Sequence, residues 1–227
     1  MDDAGWQDDA ADPDGPGAAA LFGRTVTSVA RLRDFVPEPT QLIRDKVLDR
    51  LDEHCVRFLA ATPFVVLATA DARGHCDASP RGGEPGFVHV LDAHHLLVPE
   101  VPGNRLADTL VNVIERPSLG MIGFVPGLGE FLRINGRAWV VEDADVLARA
   151  FPVKTPALGI GVAITQAYIH CAKAALRSWL WKPERWPDRA GMAPMAEVLR
   201  DHLKGGVDGT VQSMQALLDD LYDRRNL

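Results

Sequence analysis

Three short stretches of this sequence carry residue types suited to an anionic or planar ligand. The first, Asp77-Ala78-Ser79-Pro80-Arg81-Gly82-Gly83, gathers a carboxylate, a hydroxyl and a guanidinium where a strand pattern ends. Arg81 offers forked donors that match a phosphate, and the paired glycines would let a ligand approach the backbone closely. A polar turn with a solvated arginine is the commoner use of such residues. The second stretch, Pro99-Glu100-Val101-Pro102-Gly103-Asn104-Arg105, opens a helical pattern. The free N–H groups and partial positive charge of a helix N-terminus favour anions. Asn104 is the expected N-cap there and Arg105 adds a formal charge, although capping plus a surface arginine is the ordinary reading. In the third stretch, Tyr168 to Trp181, Lys173 and Arg177 lie four apart and share a helical face. Trp181, four further on, would stack on a flat ring or on Arg177. The competing reading is an amphipathic helix with a solvated basic edge and a tryptophan anchored in the core.

Other chemistries find less support. Each cysteine follows a histidine (His54-Cys55, His75-Cys76, His170-Cys171), yet structural zinc sites usually show tight ligand pairs. Adjacent strand residues point to opposite faces, so such dipeptides seldom supply two ligands, and no metal is expected. Gly159-Ile160-Gly161 lacks the third glycine of a dinucleotide fingerprint. No phosphate loop or nucleophile elbow occurs, and Ser79 has no recognisable base partner. No catalytic acid or base can be named; His75, His89 and His170 are the histidines weighed, each more ordinarily structural.

The elements that must position these residues are legible from periodicity. Apolar residues at three- and four-residue steps predict one helix from Gln41 to Ala61. Strands are expected over Phe64–Ala70 and His75–Pro80, joined by a turn at Asp71-Ala72-Arg73-Gly74. Further strands are expected over Phe87–Leu91, His95–Pro99, Ser118–Val125, Glu130–Val141 and Val162–Cys171. Helices are expected over Asn104–Glu115, Asp143–Ala150, Ala172–Leu180, 194–204 and 210–223. Antiparallel hairpins with helices at joints and ends predict an α+β fold, a small barrel with peripheral helices.

Composition sets the frame. The chain has 227 residues, 47% of them hydrophobic, enough for a sizeable core. Six aspartates in residues 1–20 account for nearly all of the net charge of −7. Residues 1–20 are expected to form a flexible acidic tail and residues 21–227 a single domain. No basic stripe suggests nucleic acid. The acidic N-terminus and the lack of a long apolar run predict a soluble, cytoplasmic chain with no membrane partner.

The ordered run Ser79-Pro80-Arg81-Gly82-Gly83, Pro85-Gly86-Phe87-Val88 and Pro102-Gly103-Asn104-Arg105 resembles bacterial pyridoxamine-phosphate-oxidase-like flavoproteins. Val125-Pro126-Gly127-Leu128-Gly129-Glu130, Leu132-Arg133-Ile134-Asn135-Gly136-Arg137-Ala138 and His170-Cys171-Ala172-Lys173 continue the resemblance over roughly residues 40–185. It implies an FMN-binding split β-barrel, homodimeric, with FMN at the subunit interface. Asp77, Ala78, Ser79, Pro80 and Arg81 would lie along the flavin, with Arg81, Asn104 and Arg105 on its phosphate. Asn112 would reach the ligand or the partner chain. Lys173, Arg177, Ser178 and Trp181 would close over the cofactor from the other subunit. The implied activity is FMN-dependent oxidoreduction on an unspecified substrate. Alternatives are a flavin carrier, sensor or store without turnover, and a deazaflavin enzyme of the same fold. The helical stretch from Gly206 to Leu227 stands where true pyridoxamine-phosphate oxidases carry a basic, histidine-bearing segment, so vitamin B6 oxidation is not expected.

Overall fold

The computed structural model describes residues 22–101, 103, 105–203 and 210–223. The expected acidic tail and Asn104 lie outside the described residues. The chain divides into two compact units, the first running to Val125 and including Phe131–His170. The second joins Pro126–Glu130 to Cys171 and all that follows.

The first unit is built on seven strands: β1 (Phe64–Ala70), β2 (Cys76–Gly82), β3 (His89–Val90), β4 (His95–Glu100), β5 (Ser118–Phe124), β6 (Phe131–Val141) and β7 (Leu158–His170). They form one sheet in the order β2-β1-β5-β6-β7-β4-β3, and every neighbouring pair is antiparallel. Six helices precede, join or follow them: α1 (Val29–Arg33), α2 (Gln41–Asp45), α3 (Glu53–Ala60), α4 (Asp108–Glu115), α5 (Ala144–Ala150) and, in the second unit, α6 (Lys173–Ser178). The α+β class and the antiparallel strands with peripheral helices are as the sequence predicts.

Alternation sets the core face. On β1, Val65, Leu67 and Thr69 are buried; on β6 and β7, Leu132, Ile134, Ala138, Ile160 and Val162 join them. Cys55, Phe58 and Leu59 on α3 cover this face. Each fully buried aliphatic side chain contributes about 1.5–3 kcal/mol relative to exposure. Gly136 stands at the register shift between β6 and β7, where a Cβ would run into the Ala163 carbonyl, so only glycine fits.

The single helix expected over Gln41–Ala61 is two. Leu48 pairs with Ala167 of β7 through mutual backbone bonds of 3.0 and 2.8 Å, which pulls the intervening chain out of helical geometry. Asp52 then caps the second helix by accepting from the Cys55 N–H at 2.8 Å. The periodicity was right on both sides of the break, but a tertiary pairing overrode it between them.

In the second unit, α7 (Met195–His202) and α8 (Val211–Asp223) enclose a small core of Ala196, Met214 and Leu218, with Leu199 and Val211 packed against it. No described helix is long and apolar enough to cross a membrane.

Candidate functional site

Strand β2 is an edge strand, so the backbone groups it turns away from β1 have no strand partner among the described residues. Pro80 is tolerated there because an edge strand needs no ladder donor on its outer side. Asp77, Ser79 and Arg81 point to one face, opposite Thr69, Leu67 and Val65 of β1, while Ala78 and Pro80 are exposed on the other. The five residues expected along the ligand therefore split into a half-buried polar row and an exposed apolar pair.

The polar row is tied down at both ends. Arg81 donates from Nη1 to Ser79 Oγ at 2.7 Å and to the Pro80 carbonyl at 2.9 Å. Its Nε and Nη2 both lie 3.1 Å from Glu100 Oε2, in an ion pair whose side chains are 16% and 20% exposed. Asp77 accepts from the Thr109 hydroxyl at 3.2 Å, which joins β2 to α4. Glu100 ends β4, and β4 is far from β2 in the order of the sheet. Side-chain contact between them means that the sheet curls toward closure, as a barrel does.

Arg81 therefore has three of its five N–H groups in hydrogen bonds within the chain, and its Nη2 lies in the ion pair with Glu100. The forked donor pair expected to face a phosphate faces Glu100 instead. Glycine at position 83 has an internal explanation as well: a Cβ there would come within 2.8 Å of Phe87 Cβ. The space is filled by the protein's own side chain, not kept for a ligand.

The second stretch differs from expectation. Helix α4 begins at Asp108, not at Asn104, and its N-cap is Ala107, with φ of 59° and no side-chain capping bond. Arg105 has φ of 68°, so the chain before the helix is left-handed at two non-glycine residues, and this breaks helical geometry. The cap position is thus Ala107, and the carboxylate of Asp108 already sits in the positive first turn. Arg105 is exposed and makes no hydrogen bond or ion pair among the described residues. Asn112 faces inward: it is buried, and its Nδ2 donates to Thr69 Oγ1 at 3.0 Å. That amide fastens α4 to β1.

In the second unit, α6 presents Lys173 and Arg177 exposed, without hydrogen-bond or ionic partners among the described residues. The helix stops at Ser178 because Trp179 turns left-handed at φ 50°. Trp181 therefore does not continue the Lys173–Arg177 face. Its indole N–H donates to the Leu128 carbonyl at 2.7 Å, and the stacked cation is Arg185, 4.6 Å from the Trp179 ring. The Ser178 hydroxyl donates back to the Ala174 carbonyl at 2.9 Å.

His75, His89 and His170, the histidines that could do acid–base work, each have a neighbour within the chain. His75 Nδ1 lies 2.9 Å from Asp71 in the β1–β2 turn. His89 packs edge-on to Phe151, and His170 lies tilted over Tyr168. Burial pushes the Cys55 thiol up to about 11, so it is no nucleophile at neutral pH. No group of three or more metal-ligating side chains gathers among the described residues.

The family described as pyridoxamine 5'-phosphate oxidase matches residues 51–171, more than half of the chain. The chain belongs to that family. The match spans β1 to β7 and includes the β2 row, Glu100 and Asn112. Among solved structures, a putative pyridoxamine 5'-phosphate oxidase from Lactobacillus delbrueckii is 22% identical, the alignment covering 53% of this chain and 95% of that one at a TM-score of 0.43. HupZ of Group A Streptococcus is 14% identical, over 52% and 98% of the two chains, at 0.43. HutZ, the heme storage protein from Vibrio cholerae, is 15% identical, over 53% and 94%, at 0.37. Comparison with curated proteins gives no match.

Sequence reasoning missed Glu100, Thr69 and Thr109. Glu100 stood inside a segment singled out for its arginine, but nothing in its spacing ties it to Arg81. Only the curl of the sheet does.

Proposed function

We propose that this member of the pyridoxamine 5'-phosphate oxidase family binds FMN along β2 and works as an FMN-dependent oxidoreductase. The observation that carries the reading is the edge strand itself. It offers unpaired backbone groups beside a serine whose hydroxyl hydrogen remains available, because the Arg81 bond fills one of its acceptor positions. Such a mixed polar edge fits the flavin ring, and the residues present fit the rest of the cofactor. Arg105 is an exposed cation with no hydrogen-bond or ionic partner among the described residues, suited to the phosphate. Bound FMN supplies hydride and single-electron transfer, while the chain supplies binding and orientation.

The reading includes self-association. Leu106, Val111, Ile114 and Trp139 are large apolar side chains of the first unit, 46–71% exposed. Ile114 and Trp139 also line a cleft of about 410 Å³ with Val113, Pro117 and Leu158. Large exposed apolar patches mark association surfaces, and a second copy of the chain is the occupant we assign. In that dimer Lys173, Arg177, Ser178 and Trp181 remain the candidates for a cover contributed by the partner copy. Sedimentation of wild type as a dimer and of Trp139→Glu as a monomer would support this; a monomeric wild type would remove it.

The cofactor is tested by the visible spectrum of the purified protein before and after FMN is added. Shifted flavin bands and saturable binding are the expected result. A spectrum indifferent to FMN would defeat the reading. Reduction of the bound flavin by a nicotinamide then separates an enzyme from a carrier, which would stay oxidised.

A further inference from the structure

We infer that Glu100 and Arg81 act as one positioning unit that fixes the Ser79 hydroxyl as a hydrogen-bond donor, and that Arg81 does not hold the ligand's phosphate. The inference rests on the reading of β2 as the flavin-facing strand and refines it at that site.

A guanidinium has five N–H groups. Arg81 directs both from Nη1 into the chain, to Ser79 Oγ and the Pro80 carbonyl, and its Nε–H goes to Glu100 Oε2, with Nη2 3.1 Å from the same oxygen in the ion pair. Only Nη2 is left without a hydrogen bond, and one nitrogen alone cannot form the two-nitrogen forked contact that makes arginine a selective phosphate ligand. The charge is balanced too, since the Glu100 carboxylate neutralises the guanidinium across two largely buried side chains. A neutral pair gives a phosphate little attraction.

What the pair does is orient. Arg81 Nη1 approaches Ser79 Oγ as a donor at 2.7 Å, so the serine oxygen accepts there and its own hydrogen must point elsewhere. Glu100 holds the guanidinium from the opposite side, and because it ends β4, the relay bridges two strands that are not neighbours in the sheet. A serine held this way presents a hydrogen to an acceptor on the ligand. That suits a ring carbonyl or ring nitrogen, and the charge-balanced arginine beside it leaves the phosphate to Arg105.

The test compares full-length wild type, Glu100→Gln, Ser79→Ala and the double variant by titration with FMN and with riboflavin, which lacks the phosphate. Loss of one oriented hydrogen bond predicts that Glu100→Gln weakens both flavins alike, by about threefold to tenfold. The ratio of the two affinities should stay put, and the double variant should bind no worse than Ser79→Ala alone. Tighter FMN binding with riboflavin unchanged would mean that Glu100 competes with the phosphate for Arg81, and would overturn the inference. Weakening of FMN alone, or no change for either flavin, would overturn it as well. If wild type binds neither flavin, the cofactor reading fails, and melting temperatures then decide the relay. Losses in Ser79→Ala and Glu100→Gln that are less than additive in the double variant support it; additive losses refute it.

Discussion

Arg81 on β2 and Arg177 on α6 are both arginines of segments that the sequence marks for a ligand, yet the chain treats them in opposite ways. Arg81 is 16% exposed at its side chain and locked between Ser79, Pro80 and Glu100. Arg177 is exposed and has no partner among the described residues. The same division runs through the neighbouring polar groups. Asp77 and Asn112 are fastened to Thr109 and Thr69, whereas Lys173, like Arg177, has no partner among the described residues. The difference teaches that an arginine in a segment whose residue types suit a ligand can be spent on holding the chain together. A group fixed on all sides builds the site, and an unpaired one is left to meet what enters it.

If that contrast is right, stability and affinity should separate along it. The largest stability loss is expected for Arg81→Ala, which strands the Glu100 carboxylate. Breaking a buried pair by removing one partner costs about 3–5 kcal/mol, and the partial exposure here reduces this to about 2–3 kcal/mol in urea unfolding. Asn112→Ala should follow at about 1–2 kcal/mol, because the Thr69 hydroxyl loses its donor in a buried place. Asp52→Ala should cost about 1 kcal/mol through the lost helix cap. The Cys55 N–H that Asp52 accepts holds its carboxyl below the ordinary value of 3.8. The stabilisation is thus present above that value and is lost as pH falls through the lowered folded value. Wild type should lose stability faster than Asp52→Ala below about pH 4. Arg177→Ala should change stability by no more than about 0.5 kcal/mol. An Arg177 variant as unstable as the Arg81 one would erase the comparison.

Much of this fold was legible in the sequence because alternation is a local signal. The Phe64–Ala70 strand ends where the Asp71–Gly74 turn chemistry says it should, and Gly74 takes the positive φ that such a turn needs. The break after Asp45 was not legible, since it depends on Leu48 meeting Ala167 of β7. For the candidate site, the placement of residues on β2 was legible, but the partners their side chains find were not. Ser79, Arg81 and Asp77 do share a face of β2, as period-two geometry requires. What Arg81 faces is decided by Glu100, brought there by the curl of the sheet, and no spacing rule reports that. Asn112, which the resemblance gives as reaching the ligand or the partner chain, donates within the chain to Thr69, a contact that depends on the packing of α4 on β1.

The central claim is that FMN lies along β2 with its phosphate met by the exposed Arg105 and not by the locked Arg81. Titrating wild type and Arg105→Ala with FMN and with riboflavin tests it most directly. The account predicts that FMN affinity falls about tenfold or more in the variant, the size of one charge-assisted contact, while riboflavin affinity is unchanged. Equal FMN affinity in the two proteins, or no binding of FMN to wild type, would contradict it.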